Sequence, residues 1–236
     1  RPAGPELEIL QSVKDKVPPA LFTTPYQNPV AGTEEARRAN LRKAADLLKE
    51  AGYQVKGRQL VDAKGEPFSI EILVDRPTFE RVALFYKPGL ERLGIAVSVR
   101  VVDNAQYINR VRSRDFDMII AAWGQSLSPG NEQRDFWGSE SAKRDGSRNY
   151  AGISNPAVDT LIDKVIYASD RQDLVAAAHA LDRVLLWNDY VIPAWTLKFT
   201  RTARWDRFAH PVELPRYSFG FPNIWWWDAA KAAKVG

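Results

Sequence analysis

Apolar positions along this chain recur with two periods, and the alternation between them lays out the first half as helix and strand in turn. Leu41, Ala44, Ala45 and Leu48 fall on one helical face. Thr33 stands before them as an N-cap, Glu34 and Glu35 suit the positive end of the helix dipole, and Gly52 follows as a stop. Phe68, Ile70, Ile72 and Val74 alternate with Ser69, Glu71 and Leu73, a strand period with one apolar exception. Phe79, Val82, Ala83, Tyr86, Leu90 and Leu93 predict a second helix, crossed by Pro88-Gly89. An interior proline costs a helix about 3 kcal/mol, so a kink or break is expected there. Ile95, Val97, Val99 and Val101 alternate into another strand, and residues 104–112 read as a helix. Residues 116–122 form a short apolar run without strict alternation, the pattern of a strand buried on both faces. Strand, helix, strand, helix, strand at these lengths predicts a largely parallel sheet with helices packed on it, an α/β fold.

The second half is helical before its pattern changes. Asn155-Pro156 is a cap followed by a first-turn proline, opening a helix through Val158, Leu161, Ile162 and Val165. Ser169 with Gln172 has the spacing of a capping box, and Leu174, Ala178, Leu181 and Leu185 share one face of the helix that follows. Residues 191–195 look strand-like. From Leu197 onward Phe199, Arg201, Ala203 and Trp205 alternate, prolines return, and the chain reaches the triple Trp225-Trp226-Trp227. Residues 1–32 carry Pro2, Pro5, Pro18, Pro19, Pro25 and Pro29 and read as an extended segment with one short helical run.

Composition narrows the function classes. Of 236 residues, 45% are hydrophobic and 26% charged, ordinary for a globular protein long enough to bury a core. The net charge of +4, 33 basic against 29 acidic residues, is interspersed along the chain, which argues for a solvated surface and against a nucleic-acid partner. No apolar run approaches the roughly 20 residues that cross a bilayer. With no cysteine there is no disulfide and no thiolate metal site.

The candidate chemistry gathers behind the third predicted strand. Ligands of open α/β sheets bind outside the carboxyl ends of the strands, and Trp123, Gly124, Gln125 and Ser126 fall there, followed by a polar loop too long for a tight turn. Enzymatic constellations are poorly supported. The two histidines, His179 and His210, do not pair by spacing with a nucleophile, and no hydrolase, zinc-protease, phosphate-loop or dinucleotide motif is present. Asp115 and Asp117 flank the entrance of the third strand, opposite the proposed site, and read as structural. Of the eight tryptophans, Trp187 and Trp195 read as core area, whereas Trp123 at a loop edge suits ligand stacking. The sequence offers no cofactor or metal site.

Several of these stretches resemble a known family. Asp115-Phe116-Asp117-Met118 running into Ala122-Trp123, then Pro129 and Asn131, is similar to the second-lobe signature of the family 5 extracellular solute-binding proteins. So are residues 149–156, Asn-Tyr-Ala-Gly-Ile-Ser-Asn-Pro, with Asp159, Leu161 and Ile162, and the late Val191-Ile192-Pro193. The loop 125–137 looks most like the branch serving microcin C and oligopeptide import. The resemblance covers nearly the whole chain. It implies the C-terminal portion of a two-lobed periplasmic-binding-protein fold: residues 1–32 as an interdomain segment, 33–196 as the α/β lobe II, a cluster of mostly parallel strands with flanking helices, and 197–236 as a return strand and tail belonging to lobe I.

The resemblance further implies a non-enzymatic periplasmic receptor for a peptide or peptide-like compound, exported under a signal peptide absent from this chain. The ligand would be gripped between lobes and passed to the permease subunits of an ABC importer, and the N-terminal half of the parent receptor would be missing here. Trp123 would wall the pocket, Gln125 and Ser126 would bond the peptide main chain beside Gly124, itself a ligand-binding position, and Asn131, Arg134 and Asp135 would shape the loop, with Arg134 or Arg148 able to pair with a carboxylate. The acid that holds a peptide ammonium in related receptors aligns near Ser126, which carries no charge. Two alternatives stay open: a receptor for another solute (glycan, opine or metal chelate), and a fragment of an α/β hydrolase or transferase.

Overall fold

In the computed structural model, which describes every residue except Lys198, Phe219 and Gly236, the chain divides into two units, Arg1–Pro193 and Ala194–Gly236. The first unit begins with helices rather than extended chain. Helix α1 (Gly4–Gln11) buries Leu10, the four-residue α2 (Ala20–Thr23) buries Leu21, and Val13 and Val17, at the ends of a 3-10 turn between them, are buried as well. Pro5 and Pro19 sit at helix starts, where a missing N–H costs nothing, while Pro25 and Pro29 lie in the non-helical stretch 24–33.

Helix α3 (Glu34–Glu50) starts where expected: the Thr33 hydroxyl accepts from the Ala36 N–H at 3.1 Å. It leads through the hairpin β1 (Gln54–Lys56) and β2 (Gln59–Val61) to β3 (Ser69–Val74), and then to α4 (Pro77–Glu91). Helix α4 runs unbroken through Pro88, correcting the expected interruption. The carbonyl that loses its partner belongs to Leu84, on the exposed face, where water can bond it. Strand β4 (Ala96–Val101), α5 (Asn104–Ser113) and β5 (Met118–Ile119) complete a parallel sheet in the order β4-β3-β5.

The third strand is shorter than its apolar run. Only Met118 and Ile119 pair, with Ile72 and Leu73, and Ala121 and Ala122 are exposed, so this is an edge strand and not one covered on both faces. Its entrance is fixed by acids. Asp117 accepts the Glu71 N–H at 2.8 Å, and Asp115 pairs with Arg110 at 2.8 Å. The sheet rests on a core of Leu60, Ile72, Val74, Ala83, Ile95 and Val97.

A second core in the same unit is helical. The short helices α6 (Glu132–Trp137) and α7 (Ser139–Ala142) precede α8 (Pro156–Ile166) and α9 (Arg171–Trp187). Phe136, Trp137, Ile153, Val158, Leu161, Val165, Leu181 and Val184 bury there together with the apolar face of α1 and α2. Arg183 on α9 pairs with Glu6 on α1 at 2.6 Å, both largely buried. Asn155 caps α8 as expected, but α9 is capped by Asp170, which accepts from the Asp173 N–H, rather than by Ser169 with Gln172. Asp170, one position on, takes the cap, and the Ser169 hydroxyl instead donates to the Asp173 carboxylate.

The expected strands at 191–195, across the boundary of the two units, and at 199–205 in the second are not formed among the described residues. The pairing found is β6 (Phe208–Ala209) with β7 (Trp226–Trp227), antiparallel, followed by α10 (Ala229–Val235). Trp195, expected in a core, is 60% exposed, and Trp226 and Trp227 are more than half exposed. Trp225 is more sheltered, 4.4 Å from the His210 ring and 4.1 Å beneath the Arg204 guanidinium.

Candidate functional site

The carboxyl ends of β3 and β5 open onto the loop that sequence reasoning singled out. Trp123 is half-buried at the edge of the helical core; its ring lies 4.9 Å from Trp137 and 5.4 Å from Tyr150, and its Nε1 donates to the Arg148 carbonyl at 2.9 Å. That bond holds the indole by its edge and fixes the ring's orientation. Gly124, Gln125 and Ser126 follow on the surface.

The loop is held from beneath by a side chain that pattern alone did not flag. Gln133, 3% exposed, donates to the Gln125 side-chain oxygen at 2.7 Å and to Glu132 at 3.1 Å, and accepts from the Trp137 Nε1 at 3.0 Å. Glu132 in turn takes the Gly130 N–H at 2.9 Å. Burial raises the Glu132 carboxyl, but donors from Gly130, its own backbone and Gln133 outweigh it and hold the pKa below the usual value. Ser126 accepts from the Ser128 N–H at 3.1 Å, and Arg171 reaches across from α9 to the Leu127 carbonyl. A glutamine three positions before a buried aromatic pair was the available signal; nothing in a one-dimensional pattern marks it as buried.

The charged candidates are already engaged. Asp135 is bridged by Arg144 at 2.7 Å and Arg148 at 3.2 Å, and Arg148 also lies 4.2 Å over the Phe136 ring. Arg134 turns to Asp163 on α8 at 2.8 Å. Asn131 is exposed and makes no capping bond to α6. Trp123, Gln125, Asp135 and Arg148 are therefore brought into one neighbourhood, while Arg134 faces away toward α8.

Behind the loop, Arg114 and Asn149 set its frame. Arg114 ends α5 in the left-handed region at φ 55° and donates to the Asn149, Ser141 and Arg144 carbonyls and the Ser147 hydroxyl at 2.7–3.0 Å. Asn149, fully buried, bonds the Gly138 and Ile153 carbonyls and accepts the Ile153 N–H.

Beside Trp123 lies a cavity of about 190 Å³ that sequence reasoning did not single out. Asp75 and Arg76, immediately past β3, form one wall with Phe79; Tyr107 and Val111 of α5 and residues 119–122 form the others, and Tyr150 joins it to the Trp123 stack. Asp75 and Arg76 grip each other through two bonds, Nε to Oδ1 at 2.8 Å and Nη2 to Oδ2 at 2.6 Å. The guanidinium holds the Asp75 carboxyl below the usual range, and the carboxylate raises Arg76. Burial, with Asp75 nearby, pushes the Tyr107 phenol up. The signal was present in the rule already applied to β5: the residues leaving β3 fall at the same end of the sheet. Among the described residues no cluster of acids and histidines is disposed to hold a metal ion, and no helix is long and apolar enough to cross a membrane.

Residues 8–145 match the model of the bacterial extracellular solute-binding proteins, family 5 middle. An uncharacterized Sinorhizobium fredii protein, y4wM, is 56% identical over 97% of this chain and 35% of its own length. The probable peptide-binding protein YejA of Agrobacterium fabrum is 52% identical over 95% of the chain and 37% of its length. Among solved structures, the oligopeptide-binding protein AppA of Bacillus subtilis, in complex with a nonapeptide, superposes with a TM-score of 0.57 at 20% identity, over 79% of this chain and 38% of that one, a likeness of fold. The chain thus spans little more than a third of the relatives it matches.

Proposed function

The chain belongs to the family 5 bacterial extracellular solute-binding proteins, binding proteins rather than enzymes, and on that premise we propose that it forms one wall of a receptor for a peptide or peptide-like solute. The ligand lies across the carboxyl ends of β3 and β5, stacked on the outer face of Trp123, with Gln125 and Ser126 bonding its main chain. A second wall from elsewhere in a longer protein closes over it, and the loaded receptor presents the solute to the permease of an ABC importer from the periplasm.

The observation that carries this reading is the join between the Trp123 rim and the neighbouring cavity through Tyr150. It gives one ring-lined surface of mixed character, with apolar walls from Phe79, Val111 and Ile120 and polar groups from Asp75, Arg76 and the tyrosines. The name of the Agrobacterium relative and the nonapeptide held by the Bacillus neighbour point to the same solute class. Asp135 is neutralised by two arginines, so a ligand ammonium finds no unpaired acid beside Ser126; main-chain bonding and stacking dominate instead.

Native mass spectrometry of the full-length protein purified from cells tests the reading, followed by calorimetry with whatever solute is released. A co-purified peptide, with Trp123→Ala weakening it tenfold or more (about 1.4 kcal/mol) and Trp123→Phe largely restoring it, is the expected result. The chain alone, offering one wall, binds far more weakly than the full-length protein. A co-purified sugar or metal chelate overturns the peptide assignment, and unchanged affinity in Trp123→Ala overturns the site.

A further inference from the structure

The cavity at Asp75 and Arg76 has a shape and charge that the receptor reading leaves without an occupant. Its volume of about 190 Å³ lies below the roughly 300–1,000 Å³ that enclose a whole small ligand. It is instead comparable with an apolar cavity of about 150 Å³, which accepts benzene. The space therefore takes one side chain or one ring.

Its polar equipment is lopsided. The Asp75 side chain is 5% exposed, while that of Arg76 is 58% exposed, so the charge a ligand meets is the guanidinium. Arg76 spends Nε and Nη2 on Asp75. A guanidinium carries five N–H donors in a planar fork, and among the described residues nothing bonds the end-on edge of this one, formed by Nη1 and the second Nη2 hydrogen. That edge has the spacing for two parallel bonds to a carboxylate. Asp75 occupies the adjacent Nε–Nη2 edge and holds the plane in place, so little side-chain freedom is lost on binding. Tyr107 and Tyr150 also line the cavity, and among the described residues their hydroxyls make no hydrogen bond, so they can add donors. Arg76 is also the residue before the first turn of α4, whose N-terminal end adds positive potential.

We propose that this cavity is the subsite for the carboxyl-bearing end of the ligand: Arg76 binds the carboxylate through its end-on edge, Asp75 positions the guanidinium, and the apolar wall of Phe79, Val111 and Ile120 receives the adjoining side chain. This rests on the receptor reading for its biological meaning, but the chemistry is tested separately. The probes are N-acetyl-phenylalanine and its carboxamide, identical in ring and differing in charge, titrated to millimolar concentration into the isotope-labelled chain. The readout is the backbone amide signals of Phe79, Tyr107, Ile120 and Ala122.

The acid shifts these signals saturably and the amide binds at least about tenfold more weakly, the loss expected for a charge-assisted pair. Arg76→Gln abolishes the difference between acid and amide, and Arg76→Lys keeps only part of it. Because Arg76→Gln strands the buried Asp75 carboxylate, the double variant Asp75→Asn with Arg76→Gln is measured alongside, and it too makes no distinction. Equal binding of acid and amide, preference surviving in both variants, shifts located elsewhere, or no shift at all overturns the proposal. Failure of the receptor reading shows itself differently, as a full-length protein that carries and binds no peptide whatever these probes do.

Discussion

Replacing Asn149 by alanine tests how the site is held in register. Asn149 is 0% exposed and its side chain makes three hydrogen bonds, at 3.0 Å to the Gly138 carbonyl, 2.9 Å to the Ile153 carbonyl and 2.8 Å from the Ile153 N–H. The three are not equal. The Gly138 carbonyl also accepts from the Ser141 N–H and hydroxyl and the Ala142 N–H, so it stays satisfied when the amide is removed. No other hydrogen bond among the described residues reaches either backbone group of Ile153, which is itself 1% exposed. Two buried groups are therefore orphaned, each costing about 1–3 kcal/mol, and the expected destabilisation is about 3 kcal/mol. The effect carries into function because the adjacent Arg148 carbonyl is the acceptor for the Trp123 indole. Urea unfolding followed by tryptophan fluorescence gives the stability change; an unchanged slope shows that the unfolded state is not the cause. In the full-length protein, solute affinity falls with it. A loss below about 1 kcal/mol would refute the count of orphaned groups, and full stability loss with unchanged affinity would refute the link to Trp123.

Leu10→Ala, at a fully buried position on α1, is expected to cost about 2–5 kcal/mol in the same unfolding assay; a cost near zero would mean that the N-terminal helices do not belong to the core. Pro88→Ala restores the missing donor to the exposed Leu84 carbonyl and should raise stability by about 1–3 kcal/mol in urea unfolding; a drop would show that α4 carries this proline without the usual cost of a helix-interior proline. Asp75 titrates below the ordinary aspartate value because of Arg76. Its stabilising contribution is thus present above that value and disappears as pH falls through its depressed folded pKa. Carbon NMR of the Asp75 carboxyl should show the low midpoint and its rise in Arg76→Gln, and an ordinary midpoint in the parent chain would remove the argument for a preformed pair.

What the sequence by itself determined was the local order of the first unit. Thr33, Asn155 and Gly52 punctuate helices through hydrogen bonds and φ values set within a few residues, and the alternation over residues 68–74 and 95–101 gives each strand one apolar face, which the parallel pairing turns onto the same core. The placing of Trp123 at a strand's exit was legible for the same reason, since the rule for ligand sites refers only to strand direction. Tertiary structure decided the rest. Residues 1–23 carry enough proline to look extended, and only the exposed apolar faces of α8 and α9 give their leucines and valines somewhere to bury. The apolar run after Asp117 looked like a strand covered on both sides, yet with one neighbour its pairing stops after Ile119. Asp135, Arg148 and Arg134 were legible as charged loop residues, but which of them neutralise one another depends on distances across 9 to 29 residues of chain. Gln133 and the Asp75–Arg76 pair were invisible for the deeper reason that burial and unused donor edges are properties of surroundings. A glutamine or an arginine in a sequence carries its donors with it, but the fold alone determines which of them are left for a ligand.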